Sequence, residues 1–344
     1  MAKKLETPCP FPRRGIPWEF RYDYAMGGWN SLQQRYLYVI REIYGASAVL
    51  DVFEMVCTME DRVQKLTNAI RTIFNLSGKD CATIGEVFDI WDEFMKIEST
   101  LLERSQIINR RKVTKCPWKT EPRDISAWSL PFFNIVGKTI NPKVTVERPK
   151  GMCAGDPYCE YIWKLEGDIQ PTGDDTTMAI RLETPCSAPK RGLSWELKYN
   201  FVMNNYADFL KGLLYANRKK FDGATAVDIY ERVCKLGDRT ANVIRAMLKI
   251  FKIEGNDAET WGQLMDVWNE NAGMESIILE RSKTIDRRKL TKCPFVTEHK
   301  DVSDWDIRFC KIMAKTINEK AILEMPKIMC KGDPYCDFIF RIEE

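Results

Sequence analysis

The chain contains two tandem copies of one segment, and this repeat limits what it can fold into. Residues 5–9 (Leu-Glu-Thr-Pro-Cys) recur at 182–186, a shift of 177 residues. The same shift carries Cys159 onto Cys336 without a gap. A repeat of roughly 165 residues is too long for a solenoid and has the size of a domain. We therefore expect two homologous units that form an internal pseudo-dimer. The expected units are residues 1–166 and 182–344, joined by a polar linker at 167–181.

Composition restricts the chemistry that a duplicated site can use. The chain has 12 Cys but a single His, and His299 corresponds to Pro122 in the first copy. Five Cys pairs do match between the copies. A site present in both copies must therefore use thiolates and carboxylates rather than imidazole.

Charge and hydropathy exclude some partners. The net charge of +3 argues against a general nucleic-acid binder, which is usually far more basic. No stretch reaches the roughly 18 apolar residues of a membrane span, and the first residues lack the apolar core of a secretory signal. We expect a cytoplasmic protein with reduced thiols, no nucleic-acid partner and no membrane partner.

Apolar periodicity predicts units that are mainly helical and end in strands. In the first copy, strands are predicted on both sides of a turn that contains Cys153. The predicted fold class is α+β, with each unit closed by a cysteine-bearing β-hairpin. The predicted helices are 24–44, 48–75, 84–112 and 126–140, and the predicted strands are 143–148 and 161–165.

The hairpin turn is the strongest chemical motif. Cys153 and Cys159 are separated by Ala-Gly-Asp-Pro-Tyr, and the Gly and Pro allow a bend in which both sulfurs converge. Two thiols in a tight loop suit zinc or an iron–sulfur cluster. The alternative is that they are small buried thiols or surface turn residues. The candidate metal ligands are Cys116, Glu147, Cys153 and Cys159 in the first copy, and Cys293, Glu324, Cys330 and Cys336 in the second.

The two hairpins also resemble known families. Residues 152–161 (Met-Cys-Ala-Gly-Asp-Pro-Tyr-Cys-Glu-Tyr) and 329–338 resemble the C-terminal signature of 4-vinyl reductase domains. They are also similar to the end of the L-2-amino-thiazoline-4-carboxylic acid hydrolase family. The resemblance implies a small-molecule pocket near the helices and the sheet. It also implies a zinc site formed by an upstream Cys, a Glu and two Cys, which by order along the chain are the candidate metal ligands given above.

A repeated carboxylate is the candidate general base. The segment 98–105 recurs at 275–282, and Glu98 and Glu275 are matched at its start. On a helix, Glu98 would share a face with Leu102 and Ser105. A desolvated carboxylate there could accept a proton. The alternative is a surface carboxylate or an ion pair.

A basic cluster is the candidate anion-binding site. It is predicted at the end of the third helix, where cations complement the helix dipole. The alternative function is to hold an acidic substrate close to the cysteines. The four candidate substrate-binding residues are Arg110, Arg111, Arg287 and Arg288.

These observations predict a metal-dependent enzyme that acts on a small, acidic or aromatic molecule and resembles the thiazoline-carboxylate hydrolases. A metal-bound water would attack the substrate. One alternative is a ligand-binding or sensor protein of the vinyl-reductase type with structural zinc. The other is an iron–sulfur redox protein. Further homo-oligomerisation is compatible with each of them.

Overall fold

The chain folds into two compact units. The computed structural model describes residues 8–166 and 186–343, so the predicted linker at 167–181 lies outside the described residues. Among the described residues, the large unit comprises 8–39 and 199–343, and the small unit comprises 40–166 and 186–198. The compact units therefore do not coincide with the two sequence repeats. The N-terminal segment of each repeat belongs to the compact unit that contains the body of the other repeat.

Helices and antiparallel strands alternate along the described residues. The helices are α1 (Trp18–Thr58), α2 (Arg62–Ile73), α3 (Cys81–Phe94), α4 (Leu130–Ile140), α5 (Trp195–Lys220), α6 (Gly223–Lys235), α7 (Arg239–Ile250), α8 (Ala258–Ala272) and α9 (Trp305–Ile317). The strands are β1 (Cys9–Pro10), β2 (Glu98–Arg104), β3 (Ile108–Lys115), β4 (Val144–Lys150), β5 (Cys159–Leu165), β6 (Cys186–Ser187), β7 (Glu275–Arg281), β8 (Ile285–Lys292), β9 (Ala321–Lys327) and β10 (Cys336–Ile342).

The small unit is a five-stranded antiparallel sheet covered by helices. Its strand order is β4-β5-β3-β2-β6, and the short edge strand β6 pairs with β2 through Ser187 and Thr100. The Asp80 side chain caps α3 by accepting the backbone N–H of Thr83 at 2.8 Å. Helix α3 then packs on β2, β3 and β5. The fully buried ring of Trp163 lies 4.6 Å from Phe88, so aromatic packing fills this core.

The large unit repeats this architecture. Its strand order is β1-β7-β8-β10-β9, and the edge strand β1 pairs with β7 through Cys9 and Ile278. Helix α8 covers β7, β8 and β10, and α9 packs on α6, α7 and β9. Trp261 is fully buried and stacks on Phe340, with ring centroids 4.8 Å apart. Apolar residues of the N-terminal segment, including Ile16, complete this core.

The α+β prediction is confirmed by two five-stranded antiparallel sheets and several helices. Predicted helix 24–44 lies within α1, and Pro131 occupies the first turn of α4. The predicted hairpin strands correspond to β4 and β5, which pair antiparallel.

The predicted helix 84–112 is wrong beyond its first part. Helix α3 ends at Phe94, and the chain continues as the paired strands β2 and β3. The helix ends because Lys96 adopts a left-handed conformation with φ of 51°. On β3 every second residue is buried, namely Asn109, Arg111 and Val113. Because two of these three side chains are polar, the sequence shows no alternation of apolar residues that would predict a strand.

The predicted helix 48–75 is interrupted. Glu60 and Asp61 have positive φ values of 51° and 55° and separate α1 from α2. Helix α1 itself is broken at Gly45, where φ is 84°. No helix of the described ranges 8–166 and 186–343 combines the length and the hydropathy needed to cross a membrane.

Candidate functional site

The predicted substrate-binding arginines lie on strands β3 and β8, not at a helix end. In the small unit, Arg111 is 1% exposed and forms ion pairs with Asp89 and Asp92 of α3. In the large unit, Arg288 is fully buried and forms ion pairs with Asp266 and Asp286. These carboxylates already neutralise both buried cations.

The other two predicted arginines face away from the helices. Arg110 pairs with Glu160, and Arg287 pairs with Asp337 at 2.7 Å. Both guanidinium groups are more than 40% exposed. The structure therefore separates the members of each predicted arginine pair onto opposite faces of a sheet.

The predicted general bases are exposed ion pairs. Glu98 begins β2 and accepts a hydrogen bond from Lys115 at 2.9 Å. Glu275 begins β7 and accepts one from Lys292 at 3.2 Å. Because β2 and β7 are strands, these carboxylates do not share a helical face with Leu102 and Ser105 or with their equivalents.

The hairpin thiols are buried and accept backbone hydrogen bonds. In the small unit, Thr120 N donates to Cys153 Sγ at 3.3 Å and Met152 N donates to Cys159 Sγ at 3.2 Å. In the large unit, Thr297 N and Met329 N donate in the same way to Cys330 and Cys336, at 3.4 and 3.2 Å. Burial nevertheless raises the pKa values of Cys159, Cys330 and Cys336, because it outweighs the stabilisation that these N–H groups give to a thiolate.

The upstream cysteines share the neighbourhood of the hairpin thiols. Burial raises the pKa of Cys116 to about 12, and the charges of Cys159 and Cys153 act in the same direction. Burial also raises the pKa of Cys293 well above its usual value, with further contributions from Asp306, Cys330 and Cys336. Each unit therefore gathers three matched thiols.

The predicted carboxylate ligands lie apart from these thiols. Glu147 and Glu324 are exposed and pair with Lys164 at 3.0 Å and Arg341 at 3.1 Å. In the part of the chain that the structure describes, no three His, Cys, Asp or Glu side chains are arranged to hold a metal ion. The four-ligand zinc sites therefore stay predictions.

A cavity of about 360 Å³ lies within the large unit. Residues from α1, α5, α6, α7, α8, β8, α9 and β10 line it. Two exposed lining residues, Asp23 and Gly27, mark its mouth. Its volume falls within the range of roughly 300–1,000 Å³ that is typical of small-molecule sites.

Aromatic rings form part of a largely apolar cavity wall. Tyr24 meets Trp268 edge-on at 5.6 Å between ring centroids. The ring of Trp268 lies 5.3 Å from Phe309. Tyr206 meets Phe295 edge-on at 5.5 Å. The interlocked rings give a stiff apolar surface suited to flat or apolar ligands.

Thiols and one carboxylate form a polar patch in the wall. Asp306, Cys293 and Cys310 all line the cavity, and Cys310 Sγ donates to Asp306 Oδ1 at 3.5 Å. Burial raises the pKa of Asp306 to about 6. Asp306 thus changes charge close to neutral pH.

A guanidinium group forms a second polar patch. Arg239 begins α7 and donates from Nη2 to the carbonyl oxygens of Gly27 and Gly28, at 3.1 and 3.4 Å. A Cβ atom at Gly28 would lie 3.3 Å from the Tyr206 ring, a tight contact that a small shift of the ring would have to relieve. Burial lowers the pKa of Arg239, while nearby phenols and Cys234 act to raise it.

The small unit fills the equivalent positions with aromatic rings. Cys310 corresponds to Phe133, which stacks on Tyr161 at 4.1 Å and on Phe88 at 5.4 Å. Leu290 and Met313 are larger than their counterparts Val113 and Val136. Four other lining positions carry smaller side chains in the second copy, namely Met265 for Phe88, Ala272 for Met95, Phe295 for Trp118 and Cys310 for Phe133.

Sequence reasoning missed the polar residues of this cavity. Cys310 has no matching Cys in the first copy, and Asp306 corresponds to Ser129. Restricting candidates to matched residues therefore excludes the side chains by which the copies differ. Arg239 does have a match, Arg62, but the sequence does not show that it faces a cavity.

No protein-family model matches the chain, and neither a curated protein nor a solved structure matches it.

Proposed function

We propose that the large unit binds one small, largely apolar or aromatic molecule in its cavity. The observation that carries this proposal is the cavity of about 360 Å³ with its largely apolar wall, which includes several aromatic rings. Apolar walls with a few convergent polar groups are the usual composition of small-molecule sites. The role agrees with the expectation of a ligand-binding or sensor protein of the vinyl-reductase type.

A neutral aromatic fluorophore, N-phenyl-naphthylamine, tests this proposal. Its emission rises when it leaves water for an apolar site, so a titration gives affinity and stoichiometry. We expect saturable binding of one molecule per chain. Binding that is absent, or that does not saturate, would contradict the proposal.

Cys310→Phe provides a site-specific variant. It places in the large unit the ring that the first copy carries as Phe133. We expect it to reduce affinity for the fluorophore at least ~10-fold by occupying the cavity. Cys186→Phe is the matched control, because Cys186 is exposed and belongs to the small unit. Equal affinities for the two variants would contradict the assignment to this cavity.

The second candidate function is the metal-dependent hydrolase expected from the family resemblance. The three matched thiols Cys293, Cys330 and Cys336 favour it, because they act on one another and thiolates are zinc ligands. Zinc in this region would activate water or serve as a structural ion. The test is metal analysis of the purified protein beside the Cys330→Ser/Cys336→Ser variant. A metal content that does not differ between the two would contradict a site at these thiols.

A further inference from the structure

The guanidinium of Arg239 has no ion-pair partner among the described residues. Its hydrogen bonds to the carbonyls of Gly27 and Gly28 use only Nη2. The ionisable groups that influence it are the phenols Tyr206, Tyr24 and Tyr230, the thiol Cys234 and the guanidinium of Arg35, and none of these is a carboxylate. Nε and Nη1 therefore keep N–H groups without a protein acceptor in the described part of the chain.

Two buried or half-buried arginines on the strands of the same unit are neutralised. Arg281 pairs with Asp266 at 2.8 Å and with Asp286 at 2.9 Å. The fully buried Arg288 uses the same two carboxylates. Arg239, like the half-buried Arg21 and Arg35 of this unit, forms no ion pair among the described residues, but of these three only Arg239 lines the cavity. A cation that is partly withdrawn from water and unpaired attracts an anion.

Three phenols surround this cation. Burial raises the pKa of Tyr206 to about 12, and it raises the pKa values of Tyr24 and Tyr230 well above their usual value. All three stay neutral at physiological pH, and Tyr24 and Tyr206 can donate an O–H group to an anion, whereas Tyr230 hydrogen-bonds to Cys234. Their rings also line the apolar wall, so polar donors and aromatic surface occur together.

We propose that Arg239 is the anion-binding group of the cavity and that the ligand is a small aromatic or apolar carboxylic acid. The planar guanidinium matches a carboxylate in geometry and charge. The apolar body of the acid lies against the rings of Trp268, Phe295 and Phe309. This inference rests on the proposed function, because it names the chemical class of the molecule in the same cavity.

Two fluorophores with one skeleton test the inference. Anilinonaphthalene sulfonate carries an anionic group, and N-phenyl-naphthylamine is its uncharged counterpart. Replacing Arg239 by Gln removes the cation. We expect it to weaken binding of the anionic probe by about 10- to 100-fold and binding of the neutral probe by less than about 2-fold. Arg239→Lys keeps the charge and is expected to retain most of the affinity for the anion.

Arg245→Gln is the matched control for the loss of a cation. Arg245 lies on the same helix, is exposed and hydrogen-bonds only to Asn242 among the described residues. It should change neither affinity. Competition then compares naphthoate with naphthamide, and we expect the acid to displace either fluorophore at lower concentration.

The outcomes separate the two proposals. If the wild-type chain binds neither probe, the proposed function fails and the inference fails with it. If both probes bind but Arg239→Gln weakens them equally or not at all, the cavity is retained and the anion subsite is contradicted. If Arg239→Gln does not fold, Arg239→Lys and the naphthoate comparison decide. An acid that competes no better than its amide overturns the inference.

Discussion

At the scale of single residues, the two copies keep the same number of buried charges but place one aspartate at a different position. In the small unit, Asp92 of α3 pairs with Arg111 at 2.9 Å, and Asn109 lies on β3. In the large unit, the helix carries Asn269 and the strand carries Asp286, which pairs with Arg288. Each core therefore keeps two arginines and two aspartates, as expected where an unpaired buried charge is costly.

This exchange gives a stability prediction. Asp286→Asn leaves Arg281 and Arg288 short of one carboxylate and should lower the free energy of unfolding by about 3 kcal/mol. Adding Asn269→Asp recreates the arrangement of the first copy and should restore at least half of the loss. Urea denaturation of both variants measures this. A double variant no more stable than Asp286→Asn would show that the two arrangements are not equivalent.

Asp306 should make the free energy of unfolding depend on pH. Burial raises its pKa to about 6 in the folded protein, whereas the ordinary value for an aspartate side chain is 3.8. A raised pKa means that the folded state binds the proton more tightly, so this stabilisation is present below about pH 4 and lost as pH rises to about 6. Asp306→Asn should therefore be more stable than wild type by about 1–3 kcal/mol above pH 6 and equal to it below pH 4.

Denaturation midpoints across this pH range measure the effect. Asp304→Asn is the control, because Asp304 is exposed and pairs with Lys331 on the surface. It should show a difference below about 1 kcal/mol at every pH. An Asp306→Asn difference that is constant with pH would contradict a proton bound at this carboxylate.

At the scale of elements, glycines in the second copy mark helix ends that the sequence of the first copy does not indicate. The left-handed residues Glu60 and Lys96 end or interrupt helices in the first copy. Their counterparts are Gly237 and Gly273, with φ values of 60° and 65°. Comparing the copies at these two positions would have predicted both breaks. The strand β3 was harder to predict, because its core-facing Arg111 gives no apolar signal.

The same comparison predicts a stabilising substitution. Glu60→Gly removes the cost of a left-handed conformation at an exposed residue and should raise stability by up to about 1 kcal/mol. Gly237→Ala should lower it by a similar amount, since nothing lies within 4 Å of the added Cβ atom and only the backbone is strained. Thermal denaturation of the two variants checks both signs. Two changes of the same sign would rule out the backbone explanation.

Each N-terminal segment is held by a carboxylate at the end of a helix. Glu270 of α8 accepts the backbone N–H groups of Arg14 and Ile16 at 2.6 and 2.8 Å. Glu93 of α3 accepts those of Arg191 and Leu193 at 2.6 and 2.8 Å. Both copies thus attach the segment that precedes their first helix to the body of the other repeat.

Glu270→Gln should loosen the N-terminal segment. Losing the charge and one acceptor costs about 1–2 kcal/mol locally. We expect faster tryptic cleavage after Arg13 and Arg14, while the exposed Glu275→Gln serves as the control with an unchanged rate. Equal cleavage rates for the two variants would contradict the role of Glu270.

At the scale of the whole molecule, the sequence repeat predicted two units of similar architecture. It did not predict that the N-terminal segment of each repeat belongs to the compact unit that contains the body of the other repeat. The α+β class, the hairpins and several helices follow from local periodicity and turn residues. The cavity could not be predicted, because it depends on side-chain differences such as Cys310 for Phe133 at positions distant in sequence. The matched residues build the common fold, and unmatched residues such as Asp306 and Cys310 contribute the polar lining of the cavity in the large unit.

The central claim is that one small molecule binds inside the large unit. Hydrogen–deuterium exchange with and without saturating N-phenyl-naphthylamine tests it most directly. We predict added protection in peptides from α6, α7, α9 and β8, and none in peptides from α2, α4 and β3. Protection confined to the small unit, or spread equally over both units, would contradict the claim.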